Sequence, residues 1–148
     1  MKKKITLITI IICVIGIVSF IKYTEFDKSK IIITFYVANK DATDFDTYQK
    51  RIDNNLIEII QELINNKKSG IPTGTKLLGI DVKDTIAYIN LNSIYASDPA
   101  SNSSTGSLFK IGSIKNTLLN NKSLNIDKVC FLIEGEPVNL IGPNVVND

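Results

Sequence analysis

Two short runs of alternating apolar and polar residues constrain the fold of this chain more than any other feature. Every second residue is apolar in both runs, namely Leu78, Ile80 and Val82 in the first and Ala87, Ile89 and Leu91 in the second. A period of two places successive side chains of a strand on opposite faces. Only Lys83, Asp84 and Thr85 separate the runs, so the sequence predicts an antiparallel β-hairpin with one face on a core.

The first 22 residues differ in composition from the rest. An uncharged run extends from Ile5 to Ile21. As a helix at about 1.5 Å per residue it spans roughly 25 Å, close to a hydrocarbon core of about 30 Å. Residues 1–22 are therefore predicted to be a signal peptide or a single-span membrane anchor. The uncleaved anchor is favoured, because the residues around Ser19 match a cleavage site poorly and no small residue precedes Cys13, as a lipoprotein signal requires.

The lysines around this run predict its orientation. Three lysines precede it and one follows it, so the N-terminus is expected in the cytoplasm and the remainder of the chain outside it. Residues 23–30 are predicted to be a polar linker, and residues 31–148 a single domain. The expected location is the cell membrane, with a single span and an extracytoplasmic C-terminal domain.

Charge and composition exclude several functions. Without the three leading lysines, the 17 basic side chains fall to 14 against 15 acidic ones, and a net charge of −1 gives no field that attracts nucleic acid. The chain has no His, which excludes Ser-His-Asp triads, Cys-His pairs and imidazole metal sites. Cys13 lies in the leading run and Cys130 in an apolar run, so no intramolecular disulfide is predicted.

The remaining periodicities predict two helices and two further strands around the hairpin. The predicted elements are a strand over 31–37, a helix from Asp46 capped by Asp44 or Asp46, a second helix from about Ser107 to Asn121, a strand over 127–133 and a short edge strand over 137–140. The order is β-α-β-β-α-β. It predicts an α+β two-layer sandwich, in which two helices cover one face of a small, mainly antiparallel sheet.

Four segments in this order resemble the GerMN domain of sporulation and germination proteins: residues 74–78, 87–88, 116–118 and 129–135. The resemblance runs from Ile31 to the C-terminus. It implies an α/β module, similar to the ring-building motifs of secretion systems, that lies outside the membrane. Relatives take part in spore formation and germination, in association with the complex between mother cell and forespore.

Three positions depart from the family pattern. Asp84-Thr85 replaces the usual Asp-Gly of the hairpin, and a β-branched Thr resists the positive φ of a type I′ turn. Lys110 stands near the place of a usual acidic residue, and Pro143 follows Gly142 where His is common. Any ligand site that relatives form with these positions is altered in this chain.

Several polar groups have both a functional and a structural interpretation. Asp41, Asp44 and Asp46 are interpreted as solvated or capping residues in preference to a weak calcium site. Residues 101–107 are interpreted as a linker in preference to a phosphate-binding loop, and Thr117 as a satisfied helix residue. Glu134 and Glu136 flank a turn and are expected to point to solvent. The sequence therefore predicts no catalytic residue, no cofactor and no metal ion, and the chain is not expected to be an enzyme.

The predicted interaction surface consists of Ile32, Tyr36, Ile86 and Tyr88, on the non-core faces of two strands. If those strands are neighbours, aromatic and aliphatic side chains form an exposed docking face. The alternative is that the C-terminal tail covers this face.

The favoured hypothesis is a membrane-anchored, extracytoplasmic interaction domain that docks on other envelope proteins during sporulation or germination. Its partners are then other sporulation membrane proteins, and the membrane itself through the N-terminal helix. The alternative is an extracytoplasmic receptor that binds a cell-wall fragment or a germinant in a cleft beneath the loop over 93–106. A hydrolase is disfavoured because no acid-base pair is recognisable.

Overall fold

A computed structural model describes residues 30–97 and 104–138. The elements are β1 (Lys30–Ala38), β2 (Phe45–Asp53), α1 (Leu56–Asn65), β3 (Leu77–Lys83), β4 (Ile86–Leu91), α2 (Ile94–Ser97), α3 (Ser104–Asn120), β5 (Lys128–Ile133) and β6 (Glu136–Pro137), with 3₁₀ turns at Lys67–Ser69 and Lys122–Leu124. The predicted anchor, Ile5 to Ile21, lies outside the described residues. None of the described helices is long and apolar enough to cross a membrane.

The described strands form two sheets. β1 and β2 make an antiparallel pair, and the second sheet has the order β3-β4-β5-β6. Within the second sheet β4 and β5 are parallel, and the other two pairs are antiparallel. Small, mainly antiparallel sheets with a few helices confirm the predicted α+β class.

The prediction of a helix starting at Asp46 was wrong. Residues 45–53 form β2, and each of them pairs with a residue of β1. The apolar stripe that indicated a helix begins only at Ile52, and the helix itself begins at Leu56. Asn55 caps it instead of Asp44 or Asp46, because the Asn55 side chain accepts the Ile57 N–H at 3.0 Å, as is typical of N-cap residues.

The core lies between the two sheets and the two long helices. Its buried apolar residues include Ile33, Phe35 and Val37 of β1, Ile59, Ile60 and Leu63 of α1, Ala87, Ile89 and Leu91 of β4, Ile111, Ile114 and Leu118 of α3, and Val129 and Phe131 of β5. The predicted inward face of β4 and the apolar stripe of the second helix are confirmed. Leu78 and Val82 of β3 are exposed, because β3 is an edge strand.

The two tight hairpin turns differ in backbone conformation. At the β3–β4 turn Asp84 has a φ of 56°, whereas Thr85 is outside the positive region, so the turn is not type I′. The β5–β6 turn has positive φ at both Glu134 and Gly135, which is the type I′ requirement. The β-branched Thr85 explains the difference, since its side chain disfavours positive φ.

Candidate interaction surfaces

The predicted surface is divided between the two sheets. The condition for a single surface, that the strands carrying Tyr36 and Tyr88 are neighbours, is not met, because β1 pairs with β2 and β4 pairs with β3 and β5. Ile32 and Tyr36, here called the hairpin patch, lie on the outer face of β1. Ile86 and Tyr88 lie on the outer face of β4, in the other sheet.

The outer face of the second sheet forms a continuous surface around Tyr88. In the strand register Tyr88 lies between Asp81 of β3 and Cys130 of β5, and Ile86 lies between Lys83 and Lys128. The opposite face of β4 is buried in the core. We call the half-buried side chains on this face the sheet patch: Ile86, Tyr88, Cys130 and Leu132.

Charged side chains surround the sheet patch. The Lys83 Nζ atom lies 5.8 Å from the centroid of the Tyr88 ring and 3.4 Å from the Asp81 Oδ2 atom. Both charged side chains are largely exposed, so water screens this pair and it contributes little to folding. An apolar centre with a charged rim is the usual composition of a protein-protein interface.

The hairpin patch lies beside a strand edge that α3 closes. The Tyr36 N–H donates to the Thr117 Oγ1 atom at 3.1 Å. The Thr34 N–H donates to Asn121 Oδ1 at 2.9 Å, and the Asn121 Nδ2 atom donates to the Thr34 carbonyl at 2.8 Å. Side chains of α3 and of the residue after it therefore take the place of a neighbouring strand along β1.

This arrangement gives a structural role to the 116–118 motif. Thr117 is fully buried, in agreement with its interpretation as a satisfied helix residue. The sequence predicts Asn121 only as the end of the helix, not as a partner of β1. Its spacing of four from Thr117, which places both side chains on one helix face, was the available signal.

A polar network connects β2 to α1. The Tyr48 hydroxyl donates to Glu62 Oε1 at 3.1 Å and accepts from Asn66 Nδ2 at 3.1 Å. The Lys50 Nζ atom lies 2.7 Å from Glu62 Oε2. Burial and the charge of Glu62 raise the pKa of the Tyr48 hydroxyl, and the Asn66 hydrogen bond partly offsets the increase. The sequence pattern does not predict this network, because it indicates a helix over these β2 residues.

Two grooves lie between β2 and α1, on either side of Glu62. One has a volume of about 350 Å³ and the other of about 770 Å³. Together they are lined by residues 45–48 and 50–53 of β2, and therefore follow nearly its whole length. The predicted ligand cleft was placed beneath a different loop, part of which, residues 98–103, lies outside the described residues.

Two of the acidic residues singled out in the sequence, Asp44 and Glu134, accept backbone hydrogen bonds. Asp44 Oδ1 accepts the Phe45 N–H at 2.7 Å, at the end of the β1–β2 loop. Glu134 does not simply point to solvent, because its Oε1 atom accepts the Ser93 N–H at 2.9 Å. Within residues 30–97 and 104–138, no three His, Cys, Asp or Glu side chains form a group that could hold a metal ion.

Lys110, which the sequence analysis places near a usual acidic position of the family, is buried against Tyr95. Its Nζ atom donates to the Tyr95 carbonyl at 3.0 Å, and the Tyr95 hydroxyl donates to the Lys110 carbonyl at 3.2 Å. The Nζ atom also lies 5.2 Å from the centroid of the Tyr95 ring. Complete burial raises the pKa of the Tyr95 hydroxyl far above its usual value of 10.0. The pair is a structural element of the core.

The fold and its surfaces define a small α+β module in which the described residues leave one sheet face half-exposed. The C-terminal tail, predicted as a possible cover of that face, lies outside the described residues from residue 139 on. A family model described as "Germane: Sporulation and spore germination" matches residues 34–139. The chain therefore belongs to the Germane family. A search of curated proteins gave no match.

One solved structure supports the fold. The first GerMN domain of the sporulation protein GerM from Bacillus subtilis aligns over 73% of this chain and 86% of that domain, with 15% identity and a TM-score of 0.57. A lipoprotein from Clostridium perfringens is 26% identical over 78% of this chain and 83% of its own, with a TM-score of 0.48. The tandem GerMN domains of GerM align over 72% of this chain and 39% of theirs, with 20% identity and a TM-score of 0.49.

Proposed function

We propose that this chain is an extracytoplasmic interaction module of the cell envelope that acts in sporulation or spore germination. Residues 1–22 hold it at the membrane, and the sheet patch docks on another membrane protein of the envelope. The Germane match supports the process. The open outer face of the second sheet, with Tyr88 on an inner strand, is the observation that carries the mode of action.

The geometry of Tyr88 suits a binding anchor. β4 is paired on both sides, by β3 and by β5, and its other face is buried, so the backbone beneath the ring is fixed. A tyrosine on a rigid strand presents a large apolar surface at a small cost in conformational entropy, and tyrosines are frequent among residues that dominate binding energy. The hydroxyl group remains available for a hydrogen bond with the partner.

Photocrosslinking in intact sporulating cells tests the docking role. A photoreactive phenylalanine analogue replaces Tyr88 in one strain and Lys68, exposed on the 3₁₀ turn after α1, in the control strain. We expect a discrete adduct with a membrane protein at position 88 and none at position 68. The same analogue at Tyr36 reports on the hairpin patch. Equal adducts at positions 88 and 68, or none at 88, contradict docking through the sheet patch.

Cysteine accessibility tests the proposed topology. A variant with Cys13 and Cys130 replaced by serine and with Asp41→Cys in the exposed β1–β2 loop is expressed in vegetative cells. We expect a membrane-impermeant maleimide to label it in intact cells and to label it equally after lysis. Labelling only after lysis places the domain in the cytoplasm and contradicts the proposal.

A further inference from the structure

The long strands at the sheet edges differ in how they are protected. Thr117 and Asn121 close the free edge of β1. β3 has an irregular register between Leu77 and Gly79 and charged side chains at Asp81 and Lys83, and bulges and charges both disfavour edge pairing. β2 pairs with β1 in an uninterrupted register of nine residues, so no bulge protects its free edge. Its charged side chains include both signs, Asp46 and Lys50 among them.

The direction of the β1 backbone shows which β2 groups point outward. The Thr34 and Tyr36 N–H groups donate to side chains at the end of α3. The backbone groups of the odd-numbered residues of β1, such as Phe35, therefore form the hydrogen bonds to β2. Phe35 lies opposite Tyr48, so the odd-numbered residues of β2 direct their N–H and C=O groups away from β1. Among the described residues, the N–H groups of Thr47 and Gln49 have no acceptor.

We propose that the open edge of β2 pairs with β2 of a second copy of this chain, antiparallel and symmetric about Tyr48. Thr47 then lies opposite Gln49 of the second copy, and each pair exchanges backbone hydrogen bonds that only an extended backbone can supply. The result is a four-stranded sheet in the order β1-β2-β2-β1. This surface is separate from the sheet patch, and the inference does not rest on the proposed function.

Charge complementarity indicates that β2 of a second copy pairs with the edge of β2, and it favours one register of the two strands. Symmetry about Tyr48 places Asp46 opposite Lys50 of the second copy, and the two-fold axis creates this pair twice. Symmetry about Lys50 instead places the two Lys50 side chains opposite each other, and symmetry about Gln49 places Asp46 opposite Ile52. Opposite charges across a strand pair stabilise it, and like charges destabilise it.

A charge exchange between two populations of the chain tests this register. Full-length wild type, Asp46→Lys and Lys50→Asp are labelled with donor and acceptor dyes and placed in phosphatidylcholine vesicles at increasing protein density. We expect energy transfer for the wild type. Each variant alone should associate at least about tenfold more weakly than the wild type, because both charge pairs become repulsive. Asp46→Lys mixed with Lys50→Asp should associate as the wild type does, since both pairs become attractive.

The mixture also controls for damage within one chain. Lys50→Asp removes the contact with Glu62, and a second chain cannot repair a destabilised monomer. A further variant, Gln49→Pro, removes an outward N–H without breaking a bond to β1, and should abolish energy transfer in the wild-type background. The inference is overturned if the wild type shows no energy transfer at any density, or if the mixture associates no better than the separate variants. Neither result affects the Tyr88 adduct expected for the docking role.

Discussion

Asn121 replaces a strand neighbour for Thr34. Its side-chain amide accepts the Thr34 N–H and donates to the Thr34 carbonyl, at 2.9 and 2.8 Å, and it donates to the Thr117 carbonyl as well. An amide is the side-chain group that matches both backbone groups of one residue. The end of α3 is therefore fixed to the edge of β1 by a contact between residues far apart in sequence.

Replacing Asn121 with alanine should reduce the free energy of unfolding by about 1–3 kcal/mol, because two partly buried backbone groups of β1 lose their partners. Asn120→Ala is the matched control, since Asn120 is the exposed neighbour at the end of the same helix, and should change stability by less than about 0.5 kcal/mol. Urea unfolding measures both variants. Equal effects would show that the amide of Asn121 does not hold β1.

One substitution at two buried threonines should have opposite effects. Thr117 Oγ1 accepts the Tyr36 N–H, whereas Thr75 Oγ1 is buried and has no hydrogen-bond partner among the described residues. Thr117→Val leaves the partly buried Tyr36 N–H unsatisfied and should destabilise the fold by about 1–3 kcal/mol. Thr75→Val removes a hydroxyl without a partner and should be neutral or stabilise by about 1 kcal/mol. A large loss of stability in Thr75→Val would reveal a partner for that hydroxyl.

Much of the fold could be predicted because its elements bury one face in a regular pattern. The alternation of Ala87, Ile89 and Leu91 identified β4, and the stripe of α3 identified a helix, since in both elements the core decides the residue types. β2 could not be predicted in this way. Two of its four inward positions are occupied by charged residues, Asp46 and Lys50, and the apolar stripe of α1 begins near its end.

The helix predicted in place of β2 also affected the predicted interaction surface. With a helix in its place, β1 was free to be the neighbour of β4, and one surface was predicted where the structure has two patches. The network around Tyr48 and the open strand edge were invisible for the same reason. Tertiary pairing, rather than local propensity, determines an edge strand of this kind.

The contact between Gly112 and Phe45 should make an ordinarily favourable helix substitution unfavourable. A Cβ atom on Gly112 would clash with the Phe45 Cζ atom, so the ring must move away. In an unhindered helix interior Gly→Ala stabilises by about 1 kcal/mol. Displacing a packed ring costs about 1–3 kcal/mol, and we expect Gly112→Ala to be net destabilising.

The Phe45→Ala background provides the control for that prediction. Without the ring the steric conflict disappears, so Gly112→Ala should then stabilise the fold by about 1 kcal/mol relative to Phe45→Ala alone. Thermal or urea unfolding of the four proteins measures the coupling. A coupling energy near zero would mean that the ring does not rest on Gly112.

Alkaline unfolding should depend on Tyr95. Burial raises the pKa of its hydroxyl group in the folded state, whereas the unfolded chain releases the proton near pH 10. Above that pH the folded state binds more protons than the unfolded state, so the free energy of unfolding falls as pH rises, by about 1.4 kcal/mol per pH unit for this group. Below pH 10 this contribution is fully present.

Tyr95→Phe separates the titration from the hydrogen bond that the hydroxyl donates. Losing the bond to the Lys110 carbonyl lowers stability by a constant amount, about 1 kcal/mol, at every pH. Losing the titrating group removes its contribution to the fall of the free energy of unfolding above pH 10. The two unfolding curves should therefore converge between pH 10 and pH 11.5, with the variant less stable at pH 8. Parallel curves over this whole range would contradict the prediction. They would mean that Tyr95 binds the same number of protons in the folded and unfolded states, and hence that its hydroxyl ionises in the folded protein as it does in the unfolded chain.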